Sequence, residues 1–255
     1  MTHAIGLPGL RGRRVLVTGA ASGIGLATAT RLAYEGCAVA FVDRTTGIVL
    51  PAVEAKTIAI EADVRDEASV EAAVLRAEEA FGGLDVVIAN AAIEPPDDDR
   101  ADRMPLELWQ RTIDTNLTGA FLTCKHGLRA LLRSDGDNRS LILTLSPTGV
   151  RAVVNDKLAY STSKAALFGM MRNLARDYAA DGIRVNGVMP GFTRTAGTAP
   201  IFADAALLAE VSGLVPLGRP AEPEEIAGMM AWVASDEARF ATGSVFPIDG
   251  GQTAV

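Results

Sequence analysis

Apolar residues in this chain come in short continuous runs rather than in strict alternation with polar ones. Runs at 15–18, 38–42, 57–62, 86–89, 141–145, 185–189 and 244–248 are separated by longer segments whose apolar positions recur at helical spacing. A strand that is apolar on both faces is buried on both, so the pattern predicts a parallel sheet covered by helices on either side. Right-handed crossovers then give an α/β fold, a single doubly wound Rossmann-type parallel sheet spanning 1–255 as one domain. One helix is predicted over Glu67–Phe81, and another runs unbroken over 106–132. The second carries Trp109, Ile113, Asn116, Leu117, Ala120, Phe121 and Cys124 on one stripe. Segment 45–56, with Gly47 and Pro51, predicts a reduced or irregular helix, and residues 1–11 read as a loose lead-in.

The first run leads directly into glycines spaced G-x-x-x-G-x-G, at Gly19, Gly23 and Gly25, and then into a helical segment. Strand, tight turn and helix N-terminus together place free backbone N–H groups at the positive end of a helix, the geometry that holds a dinucleotide pyrophosphate. In this reading Gly19 permits the turn, Gly23 the close approach of phosphate, and Gly25 the packing of helix on strand. The second run ends at Asp43, where a carboxylate reaches the adenosine ribose and repels a 2′-phosphate. NAD is therefore expected over NADP, although Arg44 follows directly. Asp63 stands either near the adenine or as the cap of the helix Glu67–Phe81. Asn90 either bonds backbone across the strand ends or marks a plain turn.

Composition narrows the function classes. Apolar residues make up 49% of the 255, enough for a large core. A net charge of −7 argues against a nucleic-acid surface. No run of 18 apolar residues and no signal pattern occurs, so a cytoplasmic protein without a membrane partner is expected. Cys37 and Cys124 sit in apolar segments and read as buried free thiols. Two Cys and two His without ligand spacing predict no metal site. His126 reads as a surface or satisfied histidine. The run Glu94-Pro95-Pro96-Asp97-Asp98-Asp99-Arg100 reads as a solvated acidic face; were it to border the active site, it would disfavour anionic substrates.

Tyr160 and Lys164 are four apart on a predicted helix running towards Ala180 and so share one face. An ammonium a few ångströms from a phenol, at an effective dielectric near 20, favours the phenolate by about 4 kcal/mol before solvation is counted. That would draw the phenol, ordinarily at about 10, down towards neutrality and into range for acid–base work. Asn116, polar within an apolar stripe, is either a buried bonded amide or the holder of a catalytic water.

These residues resemble, in order and spacing, the motifs of the short-chain dehydrogenase/reductase family. The matches are Thr18-Gly19-Ala20-Ala21-Ser22-Gly23-Ile24-Gly25, Asp63-Val64, Asn90-Ala91-Ala92, Asn116, Ser146, Tyr160-x-x-x-Lys164 and Pro190-Gly191. The tail from Leu217 through Ala241-Thr242-Gly243 to Gly251 is also similar to that family's C-terminal region. The resemblance implies Tyr160 as general acid/base, Lys164 as the residue that bonds the nicotinamide ribose, and Asn116 as the holder of a relay water. It implies cofactor contacts from Thr18, Gly19, Ser22, Gly23, Ile24, Gly25, Asp43, Asp63, Val64, Asn90, Ala91, Pro190, Gly191, Thr193 and Thr195. Ser22 stands where NADP-preferring members often carry a basic residue. Two positions depart from the pattern. Ala92 replaces a usual Gly, and Pro147 occupies the place of the catalytic Ser, 13 before the Tyr. A one-residue extension of the 149–159 loop would return Ser146 to that role, with Thr148 as the fallback hydroxyl.

The resemblance further implies a substrate lid at about 193–215 and a homotetramer. The expected function is NAD(H)-dependent interconversion of a secondary alcohol and a ketone. The alternative is a catalytically inactive NAD-binding or sensing protein on the same fold.

Overall fold

The computed structural model describes residues 6–152 and 155–254. Seven strands, β1 (Arg14–Thr18), β2 (Ala38–Asp43), β3 (Thr57–Glu61), β4 (Val86–Ala89), β5 (Arg139–Thr144), β6 (Ile183–Pro190) and β7 (Val245–Ile248), form one parallel sheet in the order β3-β2-β1-β4-β5-β6-β7. The long helices are α1 (Gly23–Tyr34), α2 (Glu67–Phe81), α3 (Leu106–Ile113), α4 (Gly119–Arg133) and α5 (Leu158–Asp177). Two short helices, α6 (Ala199–Ala203) and α7 (Ala205–Gly213), precede α8 (Pro223–Ala234).

The continuous apolar runs fill two core layers because successive strand residues point to opposite faces. Leu16, Val42, Val87, Leu141 and Leu143 pack with apolar residues of α2, α4 and α5. Their strand neighbours Val15, Val17, Phe41, Ile88 and Ile142 pack with residues of α1 and α8. Chain order reverses between β1 and β4, which opens a crevice at the carboxyl ends of the strands. Residues 44–56 between β2 and β3 contain no helix. Among the described residues no helix is long and apolar enough to cross a membrane.

Several expectations are corrected. The expected helix over 106–132 is present and continuous to Arg133, but it contains a π-helical turn, Asp114–Thr118, between α3 and α4. The apolar spacing runs through that turn, so periodicity alone did not mark it. The cap of α2 is Asp66, which accepts from the Ala68 N–H at 3.1 Å, and not Asp63. The lead-in is anchored from Gly6 onward, since Leu10 is fully buried and its carbonyl accepts a hydrogen bond from the Cys37 thiol; residues 1–5 lie outside the described residues. His126 is buried and lies 3.2 Å from Glu67 through Nε2, so it is satisfied inside rather than on the surface. Both cysteines are buried and free, and burial pushes each thiol up to about 12.

Candidate active site

The glycine turn leaves β1 with Gly19 and Gly23 in the left-handed backbone region, at φ of 69° and 53°. A Cβ on Gly25 would sit 2.0 Å from the Gly19 carbonyl oxygen, so α1 can approach β1 only because that side chain is missing. Ser22, at the N-cap of α1, makes no side-chain hydrogen bond to the first turn, and that turn carries no acidic residue. The positive end of α1 thus faces the crevice with no anion of its own, a cradle suited to a pyrophosphate.

Every residue of the expected site except Thr18 and Asn116 lines one cavity of about 830 Å³ along this crevice. Thr18 and Asn116 stand behind its wall, each nearly fully buried. Thr18 Oγ1 accepts from the N–H groups of Asn90 (3.1 Å) and Ala91 (3.3 Å), joining β1 to the end of β4. Asn90 continues the joint. Its Nδ2 donates to the Thr18 carbonyl at 3.1 Å, and its Oδ1 accepts from Thr144 Oγ1 at 3.0 Å. Three strand ends are thereby fixed beneath the cavity floor.

At the carboxyl end of β2 Asp43 accepts from the backbone N–H of Ala21 (3.1 Å) and of Thr45 (3.0 Å), so it also holds the glycine turn. Asp63 is engaged by Arg65 through two guanidinium nitrogens, at 2.5 and 3.0 Å, which holds its carboxyl below the usual carboxylate range. Arg44 lines the same end.

At the other end, Tyr160 and Lys164 project from the first turns of α5. Lys164 is almost wholly buried, and its Nζ lies 5.8 Å from the Tyr160 ring centroid and 2.9 Å from the Thr144 carbonyl oxygen. Burial draws the ammonium down to about 8, with Glu94 opposing. Tyr160 corrects an expectation. Burial, reinforced by the charge of Glu94, pushes the phenol well above its ordinary range, against the pull of a hydrogen bond with Ser146. Helical spacing brought the ammonium to the same face, but desolvation, a property of the folded wall, sets the direction of the shift.

The Ser146 hydroxyl lines the cavity with that phenol and lies 3.0 Å from Thr148 Oγ1. Gly149 allows the short turn Pro147–Gly149 to press on α5, because a Cβ there would meet the Lys164 backbone at 2.9 Å. Residues 153–154 of the 149–159 loop lie outside the described residues. Asn116 accepts from the Ile93 N–H and donates to its carbonyl, both at 2.8 Å, and reaches Ser163 Oγ at 3.1 Å. Its amide is fully bonded.

The acidic loop is not simply a solvated face. Glu94 lines the cavity, paired with Lys157 at 3.2 Å. That cation offsets part of the Glu94 charge, which still bears on Tyr160 and Lys164. Asp98 is buried and accepts from the N–H groups of Ala159 (3.1 Å) and Tyr160 (2.9 Å). Sequence reading missed Asp98, Ser163 and Thr144. A signal existed for the first: α5 begins after Lys157, a residue that cannot cap it, so a cap had to come from elsewhere.

Over the cavity, Ile201, Leu207 and Val211 of α6 and α7 form an apolar roof. Its base is clamped where Phe192 stacks on Phe202 at 5.4 Å and Arg194 covers the same ring at 3.9 Å.

Comparison with known proteins agrees with this geometry. Residues 19–253 match a family described as "Enoyl-(Acyl carrier protein) reductase". The chain is 40% identical to cis-4-hydroxycyclohexanecarboxylate dehydrogenase of Sinomonas cyclohexanicum, over 95% of this chain and 97% of that one. It is 36% identical to 3beta-hydroxysteroid dehydrogenase 1 of Eggerthella lenta, over 96% and 95%. The crystal structure of a short-chain type dehydrogenase/reductase from Mycobacterium marinum superposes with a TM-score of 0.89 at 34% identity, over 96% of this chain and 97% of that one. With its fold, its glycine turn and near-full-length relatives in agreement, the chain belongs to the short-chain dehydrogenase/reductase family of oxidoreductases.

Proposed function

We propose that this protein is an NAD(H)-dependent oxidoreductase that interconverts a ring-borne secondary alcohol and its ketone, with Tyr160 as general acid/base. The observation that carries the reading is that Ser146, Tyr160 and Lys164 line the same cavity as the N-terminus of α1, with Lys164 Nζ 5.8 Å from the Tyr160 ring centroid and no acidic residue in the first turn of α1. The glycine turn, Asp43 and the end of β4 would hold the dinucleotide. When bound, its nicotinamide supplies the hydride acceptor or donor.

Ser146 and Tyr160 would both contact the substrate oxygen. With its pKa pushed up, the phenol stands protonated, the form that donates to a ketone in the reductive direction. Lys164, charged below about pH 8, supplies the cation that favours the phenolate needed for alcohol oxidation. Asn116, its amide spent on Ile93 and Ser163, supports the proton path through the backbone it holds. Asp43 opposes a 2′-phosphate, and Arg65 is committed to Asp63, so NAD is the coenzyme.

The apolar roof fits an alicyclic skeleton, in keeping with the hydroxycyclohexane and hydroxysteroid named for two relatives. Apolar side chains left exposed at Leu106, Phe121 and Leu132 on α3 and α4, and at Leu217 and Phe240 near β7, fit burial in a cytoplasmic homotetramer. NADH formation on a panel of cyclohexanols, hydroxycyclohexanecarboxylates and hydroxysteroids tests the substrate reading. Tyr160→Phe should abolish turnover while NADH still binds. Binding of NADH with no turnover across the panel would instead mark a sensor.

A further inference from the structure

The backbone of Tyr160 is gripped on both sides by residues outside the dinucleotide motifs. Its N–H donates to Asp98 Oδ2 at 2.9 Å, and its carbonyl accepts from Ser163 Oγ at 2.6 Å. The second carboxylate oxygen of Asp98 takes the N–H of Ala159 at 3.1 Å. Asp98 is only 5% exposed.

A buried carboxylate needs partners, and here both are orphan donors at the positive end of a 20-residue helix. The N-cap position itself holds Lys157, which makes no side-chain cap. Lys157 turns back instead. Its Nζ pairs with Glu94 at 3.2 Å and donates to the Pro95 carbonyl at 3.4 Å. The segment 94–98 is thus fastened to α5 at two points, and its start at Ile93 is fastened to Asn116. Glu94 and Pro96 of the same segment line the cavity.

A Ser, Asp or Asn at position 157 could cap α5 locally. The remote cap does something a local one cannot: it makes the substrate-side wall and the first turn of α5 a single body. We propose that Asp98 is a positioning residue, which fixes the Cα of Tyr160 so that its hydroxyl meets Ser146 and the substrate oxygen in register. It acts through the backbone of Tyr160 and touches no substrate.

The proposal rests on the reading of Tyr160 as acid/base, so the two are tested side by side at a temperature where near-UV circular dichroism of every variant matches wild type. Asp98→Ala loses both acceptors. A displacement of the phenol by about 1 Å should lower kcat about 30- to 100-fold, while the Kd for NADH, read by fluorescence, stays within about twofold. Asp98→Asn keeps one acceptor oxygen and should recover about three- to tenfold of that loss, a graded rescue that a generally loosened fold would not give.

Wild-type kcat in Asp98→Ala, a parallel loss of NADH affinity, or no rescue by Asn would each overturn the role of Asp98. Should Asp98→Ala not fold, Asp98→Asn carries the test alone: kcat reduced at unchanged NADH affinity supports the role, and unchanged kcat overturns it. Turnover surviving in Tyr160→Phe would take down the acid/base reading itself. Turnover lost there but intact in Asp98→Ala would take down only the positioning role.

Discussion

Nζ of Lys164 donates a 2.9 Å hydrogen bond to the carbonyl oxygen of Thr144, the last residue of β5. The bond holds α5 against the sheet at the place where the Thr144 hydroxyl already meets Asn90. It also traps an amine in a site where burial disfavours its charge.

Stability should therefore depend on pH in a defined window. The folded-state value of Lys164 is about 8, below the ordinary 10.5, so between these the unfolded chain binds more protons than the folded one. Stability contributed at this site rises with pH from about 8 to 10.5, and the penalty is fully present below 8. Lys164→Met removes the group. Urea unfolding of the coenzyme-free protein should show the wild type gaining on Lys164→Met by up to about 3 kcal/mol between pH 7 and 10.5. Turnover in the variant should be lost at every pH. A constant difference in stability across that range would contradict the burial of a charged amine.

The hydroxyl that meets the phenol distinguishes Ser146 from Thr148. Ser146 pulls the Tyr160 phenol down against its burial, and Thr148 lies 3.0 Å from Ser146. Ser146→Ala should lower kcat about 10²- to 10³-fold, as loss of a donor to a developing oxyanion does. Thr148→Ala, which removes only a partner of that donor, should cost less than about tenfold. Steady-state kinetics on one ring alcohol decides between them, and the reverse ranking would reassign the substrate-holding hydroxyl.

Much of this architecture is legible in the chain because the strands are buried on both faces. The run at 86–89 is β4 with the same ends, and the segment Glu67–Phe81 is α2 with the same ends. The cavity lining was legible partly through the glycine turn and the strand ends, and for Ser146, Pro190, Gly191, Thr193 and Thr195 only through the family resemblance. What stayed hidden depends on contacts between distant segments. The π-helical turn at Asp114–Thr118 leaves the apolar stripe in phase, and the bonding of its Asn116 to Ile93 spans 23 residues. Asp98 looked like one carboxylate of a solvated run because its partners lie some 60 residues away. Spacing predicts a downward shift of Tyr160 from the ammonium, and the shift runs upward instead. Desolvation by the surrounding wall has no signature at i, i+4.

Gly25 should be the least replaceable of the three motif glycines. Its Cβ would fall 2.0 Å from the Gly19 carbonyl and 2.5 Å from Asn90 Nδ2, both held by the strand ends and unable to yield. Gly25→Ala is expected to destabilise by about 1–3 kcal/mol or more, through overpacking, and to weaken NADH binding in parallel. Gly23→Ala meets only the Thr195 side chain at 3.1 Å, but at φ of 53° it strains the turn. It should bind NADH poorly with a smaller loss of Tm. Thermal unfolding with and without NADH separates the two effects.

The proposed preference for NAD rests on a carboxylate with two duties. Asp43 lines the cavity at the end of β2, where the proposed function places the adenosine, and also accepts from Ala21 and Thr45. A 2′-phosphate beside it would meet a like charge worth several kcal/mol at about 4 Å and an effective dielectric near 20, offset in part by Arg44. Asp43→Asn keeps an acceptor for one of the two backbone donors while removing the charge, and leaves Arg44 to attract the phosphate. Its ratio of kcat/KM for NADP to that for NAD should rise about 10- to 100-fold over wild type. Asp43→Ala strips both acceptors as well, so it should lower kcat/KM for both coenzymes through a loosened glycine turn. If Asp43→Asn left the ratio unchanged, the carboxylate would serve the turn alone and the discrimination would lie with Arg44 and Arg65.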